Sequence, residues 1–130
     1  MRRVFLKGAA VAVLGLLAPP RVRAAGPAFD AAGFKAAQAA GKPVLVAVHA
    51  DWCPVCAKQK PILSGLRADP AFKDMAVFTV DFDAEKELVR SFGVQKQSTL
   101  IVFHGSTERA RSTGETDAAA IRALLAKGLA

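Results

Sequence analysis

The chain has 130 residues, 52% of them hydrophobic and 22% charged, with a formal net charge of +7 and two cysteines. Five of the positive charges (Arg2, Arg3, Lys7, Arg21 and Arg23) fall in the first 24 residues, so the remainder carries about +2 and no basic stripe with interleaved aromatics. That excludes a nucleic-acid-binding surface, and the length suits one domain with a single small core.

Residues 1–24, "MRRVFLKGAAVAVLGLLAPPRVRA", read as a cleavable export signal. A basic start precedes an apolar run, Gly8 to Ala18, that is shorter than the roughly 20 residues a bilayer span needs. Pro19 and Pro20 break the run, and small residues at Val22 and Ala24 suit a signal peptidase. Arg2-Arg3-Val4-Phe5-Leu6-Lys7 resembles the twin-arginine export motif, and the Ala- and Gly-rich run suits that route. The expectation is a periplasmic protein, cleaved near Ala24, whose domain occupies residues 25–130. Nothing else is long enough to remain in the membrane.

Along that domain, residues 28–40 favour a helix, with Asp30 as N-cap and Gly41 ending it. "VLVAV", 44–48, is continuously apolar and β-branched, as a strand buried on both faces is. A helix from Cys53 to about Leu66 follows, with Pro61 a predicted kink and Ile62, Leu63 and Leu66 on its apolar face. Residues 68–70 form a turn, 75–82 a second buried strand, 84–92 a short helix and 99–103 a third apolar strand. A more polar strand near 108–113 leads through Gly114 to a last helix, with Thr116 as cap and Ile121, Leu124, Leu125 and Leu129 as its stripe. Phe72, Phe78, Phe82, Phe92 and Phe103 have core spacing. Alternating helices and strands predict an α/β sandwich with a parallel core and an antiparallel edge, helices on both faces, and chemistry at the carboxyl ends of the parallel strands.

Cys53 lies just past the end of such a strand, in "HADWCPVC". Three readings of the pair compete: half a metal site, a structural staple and a redox couple. A staple across so small a loop restrains the unfolded chain little. Structural zinc needs four ligands, and His49 and His104 are the only histidines, neither at finger-like spacing. At a helix start, by contrast, Cys53 would stand exposed at the N-cap with Cys56 one turn inward, the two sulfurs within bonding reach. First-turn amides and the helix dipole would stabilise the Cys53 thiolate, the form that attacks disulfides. Pro54 fits the first helical position, and Trp52 would shield one side of the pair.

These residues, with Pro61, "FTVDFD" at 78–83, "FGVQKQSTLIVF" at 92–103 and Gly114, resemble the thioredoxin family from about Phe34 to the C-terminus. The resemblance implies a three-layer sandwich around a mixed sheet of about four strands, the family's opening strand being missing. It implies a thiol–disulfide oxidoreductase without cofactor or metal, acting on protein thiols and disulfides as a monomer, and recharged by a membrane electron donor if it works as a reductant. Cys53 would be the nucleophile and Cys56 the resolving cysteine of a Cys53–Cys56 redox disulfide.

Two positions depart from the family. A buried Asp usually stands six residues before the first cysteine; here it is Ala47. His49 is a candidate substitute base, and Lys58 and Glu85 candidate helpers. The family's cis-proline position holds Ser98, just before Thr99. A cis bond before a non-proline costs roughly 3–4 kcal/mol, so a trans peptide is expected there. Ser98 then offers a hydroxyl to the sulfurs, and Thr99 a hydrogen bond beside it. The rival reading is a non-enzymatic metal or iron–sulfur carrier using the same thiolates, completed by His49 or a second subunit.

Overall fold

Strand β1 (Pro43–His49) has five consecutive buried residues, Val44 to Val48, and forms the middle of the sheet. The computed structural model describes residues 28–130; the predicted signal segment, its cleavage at Ala24 and the start of the domain at 25 lie outside the described residues. Around β1 the chain runs α1 (Ala31–Ala39), β1, α2 (Pro54–Ala68), a 3₁₀ turn (Pro70–Phe72), β2 (Ala76–Asp81), α3 (Lys86–Ser91), β3 (Thr99–His104), β4 (Thr107–Thr113) and α4 (Ala118–Ala126). The four-stranded sheet has the order β2-β1-β3-β4.

Alternation along β1 divides the core. Val44, Val46 and Val48 pack with Phe78, Val80, Val89, Ile101 and Phe103 on one face, against α1 and α3. Leu45 and Ala47 pack with Leu63, Leu100, Ile121 and Leu125 on the other, against α2 and α4. The period of two that puts successive side chains on opposite faces thus yields three layers. On the first face Phe29, Phe34, Phe78, Phe92 and Phe103 form a web of rings with centroids 5.3–6.4 Å apart, mostly edge to face.

Several boundaries follow local chemistry. The Asp30 carboxylate accepts from the Ala32 and Gly33 amides and starts α1, and Gly41 at φ 70° ends it. The expected Thr116 cap is displaced by one residue: Asp117 accepts from the Ala120 amide, because a carboxylate reaches the first-turn donors with full charge. Leu129 falls beyond the end of α4 and is 42% exposed, so it leaves the predicted stripe to Ile121, Leu124 and Leu125.

The expected parallel core is the main correction. Only β1 and β2 run parallel; β3 is antiparallel to β1 and to β4. Helix α3 has six residues, about 9 Å of length, against roughly 20 Å for a strand of six. It does not return the chain along the sheet, and β3 enters from the end where β2 finished. Ahead of α1, Ala28 makes a parallel bridge to Thr79, with the Phe29 amide 2.9 Å from the Thr79 carbonyl. At the other edge β4 exposes Glu108, Arg109 and Arg111, with Arg111 and Glu108 paired at 2.6 Å. Among the described residues, no helix is long and apolar enough to cross a membrane.

Candidate functional site

Because β3 is antiparallel to β1, its first residues lie beside the last residues of β1, with Leu100 opposite Ala47. This brings Ser98 to the end of the sheet where the chain turns from His49 into α2. Cys53 is the N-cap of α2, in extended conformation, and Pro54 occupies the first turn, where a missing N–H is no loss. The Cys53 amide donates to the Ala50 carbonyl at 3.1 Å, closing the turn. The Cys56 amide donates to Cys53 Sγ at 3.4 Å, so the sulfur itself caps the helix.

Ser98 joins the two cysteines. Its Oγ lies 2.9 Å from Cys56 Sγ and 3.3 Å from Cys53 Sγ. Both cysteines are free thiols. The expected exposure of Cys53 is corrected: the residue is 3% exposed and Cys56 2%, because Ala50, Val55 and Phe82 crowd them and Ser98 covers them. Burial pushes the Cys53 thiol up, but hydrogen bonds from Ser98, the Cys56 amide, the Cys56 thiol and Gln97 outweigh it, and the group ionises at about 7 instead of 9.0. Burial raises Cys56, and Ser98 and the Ala50 backbone offset this only in part.

Ser98 is held by its backbone. It has φ 62°, the one positive value outside glycine among the described residues, a conformation costing an L-residue about 1–2 kcal/mol. Its N–H donates to the Val48 carbonyl at 2.8 Å. Its carbonyl accepts from the Gly114 amide at 3.0 Å and from Gln59 Nε2 at 3.2 Å. Described peptide bonds are all trans, the one before Ser98 included. Gln59, buried on α2 one turn beyond Cys56, also donates to the Glu115 carbonyl at 2.9 Å.

The other predicted residues bond to groups other than the sulfurs. Trp52 is 61% exposed and donates its indole N–H to Asp83 Oδ2 at 2.7 Å. His49 Nε2 pairs with Asp51 Oδ1 at 3.0 Å. Thr99 Oγ1 donates to the Lys96 carbonyl at 2.8 Å and meets Thr113 Oγ1 at 2.9 Å, fastening the start of β3. Lys58 is exposed, and Glu85 Oε1 accepts from the Asp81 amide. Among the described residues, no three His, Cys, Asp or Glu side chains gather closely enough to hold a metal ion. Sequence reasoning overlooked Gln59 and Gln97. A signal for Gln59 existed, since it shares the buried helical stripe of Cys56 and Leu63; Gln97 lies in a loop without periodicity and gave none.

Residues 28–127 match the family model described as Thioredoxin. Among solved structures, Trxlp from Edwardsiella tarda superposes with a TM-score of 0.74 at 46% identity, over 76% of this chain and 96% of that one. Thioredoxin of Chlamydia muridarum is 33% identical over 84 residues, 65% of this chain and 80% of that one. The "Bifunctional thioredoxin reductase/thioredoxin" of Mycobacterium leprae is 32% identical over 92 residues, 71% of this chain but 20% of the relative's length.

Proposed function

The chain belongs to the thioredoxin family and is a thiol–disulfide oxidoreductase; from this premise we propose that it works after export, in the periplasm, with Cys53 as nucleophile and Cys56 as resolving cysteine. The observation that carries the assignment of roles is the asymmetry between two sulfurs sharing one hydroxyl: Cys53 ionises at about 7, while burial raises Cys56. Near neutral pH the thiolate is therefore on Cys53.

The Cys53 thiolate attacks one sulfur of a substrate disulfide, forming a mixed disulfide and releasing the first substrate thiolate. Cys56 Sγ then attacks Cys53 Sγ, the bond to the substrate breaks, and the second substrate thiol leaves with the electron pair. The substrate disulfide is reduced and the Cys53–Cys56 pair oxidised. Trp52, exposed next to Cys53 in the chain, is tied to Asp83, and Pro54 sets the helix start that holds the sulfur. The substrates are protein disulfides, handled by a monomer. An oxidising compartment requires a source of reducing equivalents for each turnover; a membrane electron donor meets that need, as the M. leprae relative's name couples a reductase to a thioredoxin.

Cys56→Ser tests the roles. In cells it is expected to accumulate mixed disulfides on Cys53, with partners identifiable by mass spectrometry, while Cys53→Ser accumulates none. Equal accumulation in both variants would overturn the assignment. A reporter that crosses membranes only when folded, fused behind residues 1–24, is expected to reach the periplasm and to lose that ability when Arg2 and Arg3 become lysine.

A further inference from the structure

Among the described residues, the hydrogen-bond partners of Ser98 Oγ are the two sulfurs, Cys56 Sγ at 2.9 Å and Cys53 Sγ at 3.3 Å. The residue is 2% exposed, so bulk water does not stand in for either of them. We propose that Ser98 sets the redox potential of the pair: its hydroxyl bonds the dithiol and not the disulfide, and so biases the site toward accepting electrons. The proposal rests on the exchange reading above and adds the residue that poises it.

A hydroxyl has one proton to donate and two lone pairs to accept with. In the reduced pair both capacities are used. Ionised Cys53 has no proton, so its sulfur accepts from Ser98 Oγ–H, and Cys56 Sγ–H donates to Ser98 Oγ. Oxidation by a partner disulfide removes both bonds. Cys53 Sγ and Cys56 Sγ join, the Cys56 proton leaves, and two electrons pass to the partner, which departs as one thiol and one thiolate. The joined sulfurs have no proton to give Ser98 and no charge to attract its own. A buried hydroxyl deprived of its partners destabilises the state in which that happens. Here that state is the disulfide, so the pair becomes easier to reduce and harder to oxidise.

The bonds that hold Ser98 do not pass through the sulfurs. Val48, Gly114 and Gln59 clamp its backbone, and joining the cysteines leaves those bonds in place. Gln97 and the Cys56 amide bond Cys53 alone, whereas the hydroxyl reaches both sulfurs. The charged groups of neighbouring elements are engaged elsewhere. His49, at the end of β1, faces Asp51. After β2, the Asp81 carboxylate accepts from the Asp83 and Ala84 amides, Asp83 from Trp52, and Glu85 from the Asp81 amide. Ahead of α4, the Glu115 carboxylate accepts from the Thr116 and Asp117 amides. A pair poised by Ser98 takes electrons readily from its donor and reduces its substrates more mildly.

Two variants remove the hydroxyl with opposite effects on the backbone. Ser98→Gly relieves the strain of φ 62°, and Ser98→Ala keeps it. Each is brought to equilibrium with mixtures of reduced and oxidised glutathione, and the dithiol fraction is read by alkylation and mass. One protein disulfide and two glutathione thiols give one protein dithiol and one glutathione disulfide, so the equilibrium constant reports the potential directly. Both variants are expected to lower the constant for reduction on the order of tenfold, about 30 mV toward the reducing side. Should one variant fail to fold, the other carries the test. Constants equal to that of the unsubstituted chain would overturn the proposal while leaving exchange intact. A shift in one folded variant and not in the other would assign the effect to the backbone and overturn it as well. Failure of the unsubstituted chain to form the Cys53–Cys56 disulfide in oxidised glutathione would instead overturn the exchange reading, and the proposal with it.

Discussion

The Ser98 amide donates to the Val48 carbonyl at 2.8 Å, tying the loop ahead of β3 to the last turn of the central strand. The family's own residue should therefore be unwelcome here. Proline has no N–H to give Val48, and its ring holds φ near −65° where this backbone stands at 62°. Ser98→Pro is expected to lower stability by about 2–3 kcal/mol, seen as an earlier midpoint in urea. A midpoint equal to that of the unsubstituted chain would show that the loop can be rebuilt at no cost.

Gln59 supports the same residue from below. Replacing it with Leu keeps the volume but withdraws the donor from the Glu115 carbonyl and one of two donors from the Ser98 carbonyl. A cost of about 1–3 kcal/mol in chemical denaturation is expected. The alkylation midpoint of Cys53 should rise as well, because Ser98 is no longer held against the sulfur. Unchanged alkylation in a destabilised Gln59→Leu would confine Gln59 to packing.

Iodoacetamide should distinguish the two thiols. Labelling of Cys53 is expected to rise through a midpoint at about pH 7, with Cys56 reacting only above its ordinary range. Stability of the reduced form should follow the same ionisation. Cys53 has its folded value below its unfolded one of 9.0, so between about 7 and 9 the unfolded chain holds the extra proton and stability rises with pH. That contribution is lost as pH falls through about 7. Cys56 acts in the opposite sense, its contribution fading as pH rises beyond 9.0. Subtracting the stability profile of Cys53→Ser isolates the first of these, and a flat difference between pH 7 and 9 would refute it.

Trp52 is the single tryptophan in the sequence, so its emission reports on the site alone. Asp83→Ala frees the indole N–H to water. The expected outcome is a red-shifted emission with a stability loss of about 1 kcal/mol, since one exposed charge-assisted hydrogen bond is removed. An unaltered spectrum would mean that the indole is held by packing alone.

Much of this architecture can be read along the chain. "VLVAV" could only be a doubly covered strand, and Asp30, Pro54 and Gly41 announce helix ends through chemistry that depends on their neighbours alone. The direction of β3 could not be read this way, because it depends on the path of the whole 82–98 connection, and helix ends are the least legible part of a periodic pattern. The same limit hid the site's most connected residue. Ser98 marks itself in sequence only as a departure, whereas its φ and its three clamping partners, Val48, Gly114 and Gln59, come from segments far apart in the chain. His49 and Thr99 illustrate the converse. Residues with suitable chemistry at suitable positions found nearer partners in Asp51, Lys96 and Thr113.

The two margins of the sheet are closed to self-templating in different ways. On the β2 side, the Ala28–Phe29 backbone already occupies Thr79 and denies an incoming strand its starting rung. On the β4 side, a second copy stacking parallel and in register would lay Glu108, Arg109 and Arg111 against their own like charges. A chain of this kind can run disulfide exchange at one end of its sheet while its flanks resist recruitment into a growing fibril.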